Sequence, residues 1–150
     1  MRRTIFGWAT ALVLATAGCG LGVPRPDTSA IEREIDQIPG ISMVNVHPGG
    51  PEEGGPYTVS LGFVSDTHDQ QRMRALADRA LRVLWNRYPL KLNGVRVDVA
   101  PPKAIECVQR NDCRQACASN PEECRSFEDA LDAEELRRRF GPRPDDLPEG

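Results

Sequence analysis

The chain has little histidine, the side chain on which acid–base catalysis and metal binding at neutral pH most often draw. It contains two histidines, His47 and His68, and aromatic residues make up only 5% of its 150 positions. A nucleophilic or acid–base enzyme needs a nucleophile, a base and an orienting group converging in one pocket, and two scattered histidines supply little of that. A Gly-rich phosphate loop is missing: Gly49-Gly50 and Gly54-Gly55 lack both the spacing and a following helix. Lysine is almost absent, with seventeen arginines against two lysines, and the net charge is -3. An acidic chain with few aromatics argues against a nucleic-acid partner and against electrostatic docking on anionic lipid. There is no Cys-x-x-Cys, so neither a thioredoxin-like redox pair nor the paired knuckles of a four-thiolate zinc site is available. No cofactor is expected. His47 and His68, with Glu52 and Glu53, could form a weak metal site, since imidazole plus carboxylate suits zinc or copper. The leading reading of both histidines is as solvated loop or cap residues, with the metal site as the weak alternative.

What is present begins at the N-terminus, MRRTIFGWATALVLATAGC. Arg2 and Arg3 form a basic region, and an apolar run from Ile5 to Ala17 has the length of a signal-peptide core, too short to span a bilayer. Later stretches contain no apolar run long enough to span either. The small residues Ala17 and Gly18 stand directly before Cys19, with Thr16 where Leu is commonest. This arrangement resembles the lipobox of bacterial lipoprotein precursors. The resemblance implies removal of residues 1–18, lipidation of Cys19 and anchoring on the extracytoplasmic face of a membrane; two or three acyl chains anchor durably. The alternative is simple secretion with cleavage near Ala17. Removal of residues 1–18 would leave 132 residues with a formal charge of -5.

Residues 19–27 read as a Gly/Pro tether. Ser29 and Glu32 have capping-box spacing, Ile31, Ile35 and Ile38 make a helical stripe, and Pro39-Gly40 ends it. Ile41 to His47 is a β-branched run. The segment from Pro48 to Pro56 is too rich in Gly and Pro to be anything but a loop. Tyr57, Val59, Leu61 and Phe63 then alternate with Thr58, Ser60 and Gly62, the period of a half-buried strand. The two strands are expected to form a hairpin. Thr67 and Gln70 suggest a second capping box for a helix carrying Met73, Leu76, Ala77, Ala80, Leu81, Leu84 and Tyr88. Trp85 and Tyr88 fit either core packing or a partner patch. Val95, Val97 and Val99 alternate with Arg96 and Asp98 in a third strand after the Asn93-Gly94 turn.

The expected domain, residues 28–102, is therefore α+β. It is a two-layer sandwich of αββαβ order, with a three-stranded sheet and two helices on one face. Its expected core is Ile31, Ile35, Val44, Val46, Val59, Leu61, Leu76, Ala80, Leu84, Val97 and Val99. Element order in this segment resembles small αββαβ modules of bacterial envelope proteins, including the BON type and the ring-building modules of secretion-system lipoproteins. That resemblance implies binding or assembly with envelope proteins, or self-association.

Residues 103–140 carry Cys107, Cys113, Cys117 and Cys124 at spacings of five, three and six intervening residues. In an oxidising compartment four cysteines favour two disulfides, although three pairings are possible. Cys113 and Cys117 lie one helical turn apart, which favours staples from that helix to its flanks. A second amphipathic helix is expected from about Ser126 to Phe140, giving a stapled helical hairpin, and residues 141–150 read as a disordered acidic tail. The leading functional expectation is a non-enzymatic binding or scaffolding module, docking through the sheet face away from the helices or an unpaired edge. The second is a small-ligand or metal-binding lipoprotein using residues 47–69.

Overall fold

The computed structural model describes residues 26–49 and 58–144. Cys19, the tether up to Arg25, Glu52 and Glu53, Tyr57 and residues 145–150 lie outside them, with most of the expected Gly/Pro loop. The elements run α1 (Ser29–Asp36), β1 (Ile41–Pro48), β2 (Thr58–Ser65), α2 (Gln70–Arg87), β3 (Gly94–Ala100), α3 (Pro102–Arg110), α4 (Cys113–Ala118), a 3-10 turn (Pro121–Cys124), β4 (Phe127–Asp132) and α5 (Ala133–Phe140).

Both early helices form where the apolar stripes place them, but their caps differ from the expected boxes. Glu32 does not turn back on Ser29. Its Oε1 accepts a hydrogen bond from the Val46 amide at 2.9 Å, tying α1 to β1. At α2 the cap is Asp69, whose Oδ1 accepts from the Arg72 amide at 2.7 Å, while Thr67 Oγ1 accepts from the Asp69 amide at 3.1 Å. Gly40 ends the α1 turn at φ +95, a left-handed conformation that glycine adopts freely.

The sheet is mixed and four-stranded, ordered β1-β2-β3-β4. β1 and β2 form the expected antiparallel hairpin, interrupted by a bulge between Ser42 and Asn45 where Met43 takes φ 53. β2 and β3 pair in parallel, from Thr58 opposite Gly94 to Val64 opposite Ala100. β4 then adds to β3 antiparallel, with Leu131 opposite Val95 and Phe127 opposite Val99. This corrects the three-stranded expectation. It also corrects the helix expected over 126–140: only Ala133–Phe140 is helical, and Asp132 caps it by accepting from the Glu135 amide at 2.8 Å. Gly94 permits the close approach, since a Cβ there would meet the Leu131 carbonyl oxygen at 3.1 Å.

One hydrophobic core joins α1, α2, α5 and the four strands, with α3, α4 and the 3-10 turn set outside it. Ile31, Ile35, Val46, Val59, Leu61, Leu76, Ala80, Leu84, Val97 and Val99 are buried in it, and Val44 is partly buried against it. Phe127, Leu131 and Leu136 from the C-terminal segment belong to the same cluster. Trp85 and Tyr88 are core residues, only 1% and 2% exposed. The Trp85 Nε1 donates to the Gly141 carbonyl at 2.9 Å, and the Arg143 guanidinium lies 5.5 Å from the Trp85 ring centre. Arg143 also donates to the carbonyls of Leu90, at 2.6 Å, and Tyr88. The segment 141–144, expected as the start of a free tail, is thus fastened across the end of α2.

The cysteines pair as Cys107–Cys113 and Cys117–Cys124, linking α4 to the segments on either side. Sγ of Cys117 lies 3.8 Å from Sγ of Cys107, so the two bridges pack against each other. α3 ends at Asn111, which takes φ 56, as Asn tolerates at a helix C-terminus. α3, α4 and the 3-10 turn together form a cysteine cap, which an ion pair between Lys103 and Glu123 closes.

Two tests follow from this packing. Leu131→Ala should cost about 2–5 kcal/mol, the range for a buried leucine in a core. Chemical denaturation would read it, with one cooperative transition; near-neutral behaviour would show that β4 is not part of the core. Closing loops of six or seven residues stabilises by about 2 kcal/mol per bridge. Reduction should therefore speed amide exchange in α3 and α4 while β2, α2 and β3 stay protected. Loss of protection throughout would contradict this.

Candidate interaction surface

Strand side chains alternate, so covering one sheet face with helices leaves the other as a separate surface. Val46, Leu61, Val97 and Leu131 point to the helices, and their chain neighbours point away. The register assembles those neighbours into rows. One row runs His47, Ser60, Arg96, Ala130, and the next runs Asn45, Gly62, Asp98, Glu128. Towards the far end, Val64 continues this face but is buried, where α3 packs against β2.

Asn45, Ser60, Leu61, Gly62, Arg96 and Asp98 line a shallow depression of about 260 Å³. Its floor is Gly62, where an added Cβ would find nothing closer than the Asp98 carbonyl oxygen at 4.0 Å. A larger residue would therefore fill the depression without forcing the backbone. Arg96 reaches the Glu128 carboxylate at 3.6 Å, with both side chains more than half exposed, so the pair contributes little to stability. The Asp98 carboxyl is held above its usual range. Loss of hydration is the main cause, the Glu128 carboxylate adds to it, and Arg96 opposes both. The face thus presents amide, hydroxyl, guanidinium and carboxylate groups, suited to hydrogen bonds and ion pairs with a partner.

The two histidines do not meet. His47 is exposed on the open face beside Ser60, near the end of the hairpin that leads to the Pro48 loop. His68 is exposed beyond the opposite end of β2, where Ser65 pairs with Ile41. Six strand residues separate those ends, on the order of 20 Å. His68 instead lies close enough to the cysteine cap to help lower the Glu123 pKa, after the larger effect of Lys103. Among the described residues no group of three or more His, Cys, Asp or Glu is placed to hold a metal ion.

Alternation alone turns Ser60, Gly62, Arg96 and Asp98 outward, but it cannot say which of them become neighbours. Glu128 was hidden because its segment reads as the first turn of a helix.

Asp98 also provides a stability test. The folded chain holds the Asp98 proton more tightly than the unfolded chain does. Stability is therefore lost as pH rises from 3.8 through the raised value. Asp98→Asn should raise the melting temperature near pH 7, and the gain should fade as pH approaches 3.8. Thermal melts from pH 3 to 8 would show this; no gain at neutral pH would mean that the fold bears no cost for this acid.

No family model matches the chain, and comparisons with curated proteins and with solved structures return no match.

Proposed function

We propose that the chain is a lipid-anchored, extracytoplasmic bacterial protein whose sheet domain binds or scaffolds other envelope proteins without catalysing a reaction. The depression at Gly62 carries the docking part of this reading. It is polar, open and, at about 260 Å³, smaller than the roughly 300–1,000 Å³ of typical small-molecule pockets. A surface of that shape suits a protruding side chain of a protein partner better than an enclosed metabolite. Two cysteine pairs at bonding distance support an oxidising compartment, as does the lipobox-like sequence ending at Cys19. The order α1-β1-β2-α2-β3 is also that of the envelope modules the sequence resembles. In ring-building modules of that kind, self-association would follow.

The test uses the native lipoprotein in its membrane, with a photoreactive amino acid at Ser60. A discrete crosslinked partner is expected, and Gly62→Gln, which fills the depression, should remove it while the melting temperature holds. Crosslinking that survives Gly62→Gln would rule out docking at this site. For the anchor, Cys19→Ala should abolish fatty-acid labelling and release the protein from membranes, and unchanged labelling would refute it.

A further inference from the structure

The net charge of the chain hides a local excess of the opposite sign. The eight arginines of α2 and α5 are Arg72, Arg74, Arg79, Arg82, Arg87 and Arg137 to Arg139; Asp78, Glu134 and Glu135 are the only acids in those helices. That is a surplus of five positive charges, whereas the rest of the chain holds eleven bases against nineteen acids. The two helices lie side by side: Arg139 reaches Asp78 at 3.3 Å, and Arg82 sits 5.6 Å over the Phe140 ring. Both pack on the sheet face opposite the Gly62 depression.

Pairing reduces the surplus without cancelling it: Arg72 pairs with Asp66 at 2.7 Å and Arg87 with Glu34 at 3.2 Å, both acids outside the two helices. Arg139 draws on Asp78, Asp129 and Glu135, and Glu135 also takes Arg138. Arg74 and Arg82 lie over the Phe127 and Phe140 rings, which orders a guanidinium without cancelling its charge. Arg79 and Arg82 are exposed on the outer side of α2.

The chain enters the fold on this same layer. Asp27 and Ala30, at the start of α1, line one depression together with Arg87 and Pro89 at the end of α2. Residues 19 to 25 can reach no more than about 25 Å even when fully extended. A lipid on Cys19 would therefore hold the basic helices within reach of the headgroups.

We infer that the outer face of α2 and α5 docks on an anionic bilayer, helices toward the phospholipid and open sheet face toward the envelope. This rests on the lipid-anchor reading above. It reverses the expectation drawn from net charge alone, because the field near a surface follows the nearest charges and is screened beyond about 10 Å.

The experiment reconstitutes the purified lipoprotein into vesicles of phosphatidylcholine alone or with phosphatidylglycerol, each carrying a dansyl lipid. Energy transfer from tryptophan reports proximity, Trp85 being the only tryptophan in residues 19–150. Transfer should be greater with phosphatidylglycerol, and the increment should vanish at high salt. Arg79→Glu with Arg82→Glu should lower the docked-to-undocked ratio about tenfold or more. Arg110→Glu with Arg125→Glu, the same charge change on exposed residues of the cysteine cap, should preserve it. Circular dichroism establishes that both variants fold. Equal transfer in the two vesicle types, or equal loss in the two variants, overturns the docking. Retention on neutral vesicles reports the anchor separately. A protein that leaves neutral vesicles but still binds phosphatidylglycerol in a manner dependent on Arg79 and Arg82 would sink the anchor and sustain the docking.

Discussion

Seven side chains on one face of α2, from Met73 to Trp85, are at most 5% exposed, and they touch the strands, α1 and α5 alike. Burying each of the larger ones stabilises by roughly 1.5–3 kcal/mol. Among the described residues no exposed ion pair approaches that. The helix also sets topology through its length. Eighteen residues rise about 27 Å, close to the span of an eight-residue strand. The chain leaving β2 is carried back to the level at which β2 began, so β3 must run parallel to it. Because β3 enters parallel, its outer edge is left for β4, and α5 follows onto the same helical layer.

Two surfaces of opposite character result. Packing sends the arginines of α2 and α5 outward on the helical side, while the strand period sends Asn45, Ser60, Arg96, Asp98 and Glu128 outward on the other. Neither surface exists as a feature of any one segment. If the helical face meets a membrane, the open sheet is the side left for an envelope partner, and the two proposals become one arrangement.

The elements legible in the sequence were those whose period is unambiguous. The α2 stripe holds 3.6-residue spacing across five turns, and Val95, Val97 and Val99 hold a period of two. The segment 127–140 misled for a definite reason. Phe127 and Leu131 are four residues apart, a spacing that satisfies a helix and, being even, a strand as well. The discriminating signal was Asp132 with Glu135, a capping pair that starts a helix there and ends whatever precedes it. The expected box at Ser29 and Glu32 failed differently: a strand amide competes for the same carboxylate, and no local pattern contains that strand.

By itself, the sequence determined an α+β chain with two early amphipathic helices, alternating strands and four cysteines spaced for disulfides, while their pairing waited on the fold. Those are properties of spacing along one segment, where the geometry is that of the backbone. Only the tertiary structure decided that β4 completes the sheet, that His47 and His68 stand apart, and that Gly62 lies between Asn45 and Asp98. Each of these depends on which residues from distant segments come to lie opposite one another. That register is set by burying the four strands, α1, α2 and α5 against one common core, and no segment contains it alone.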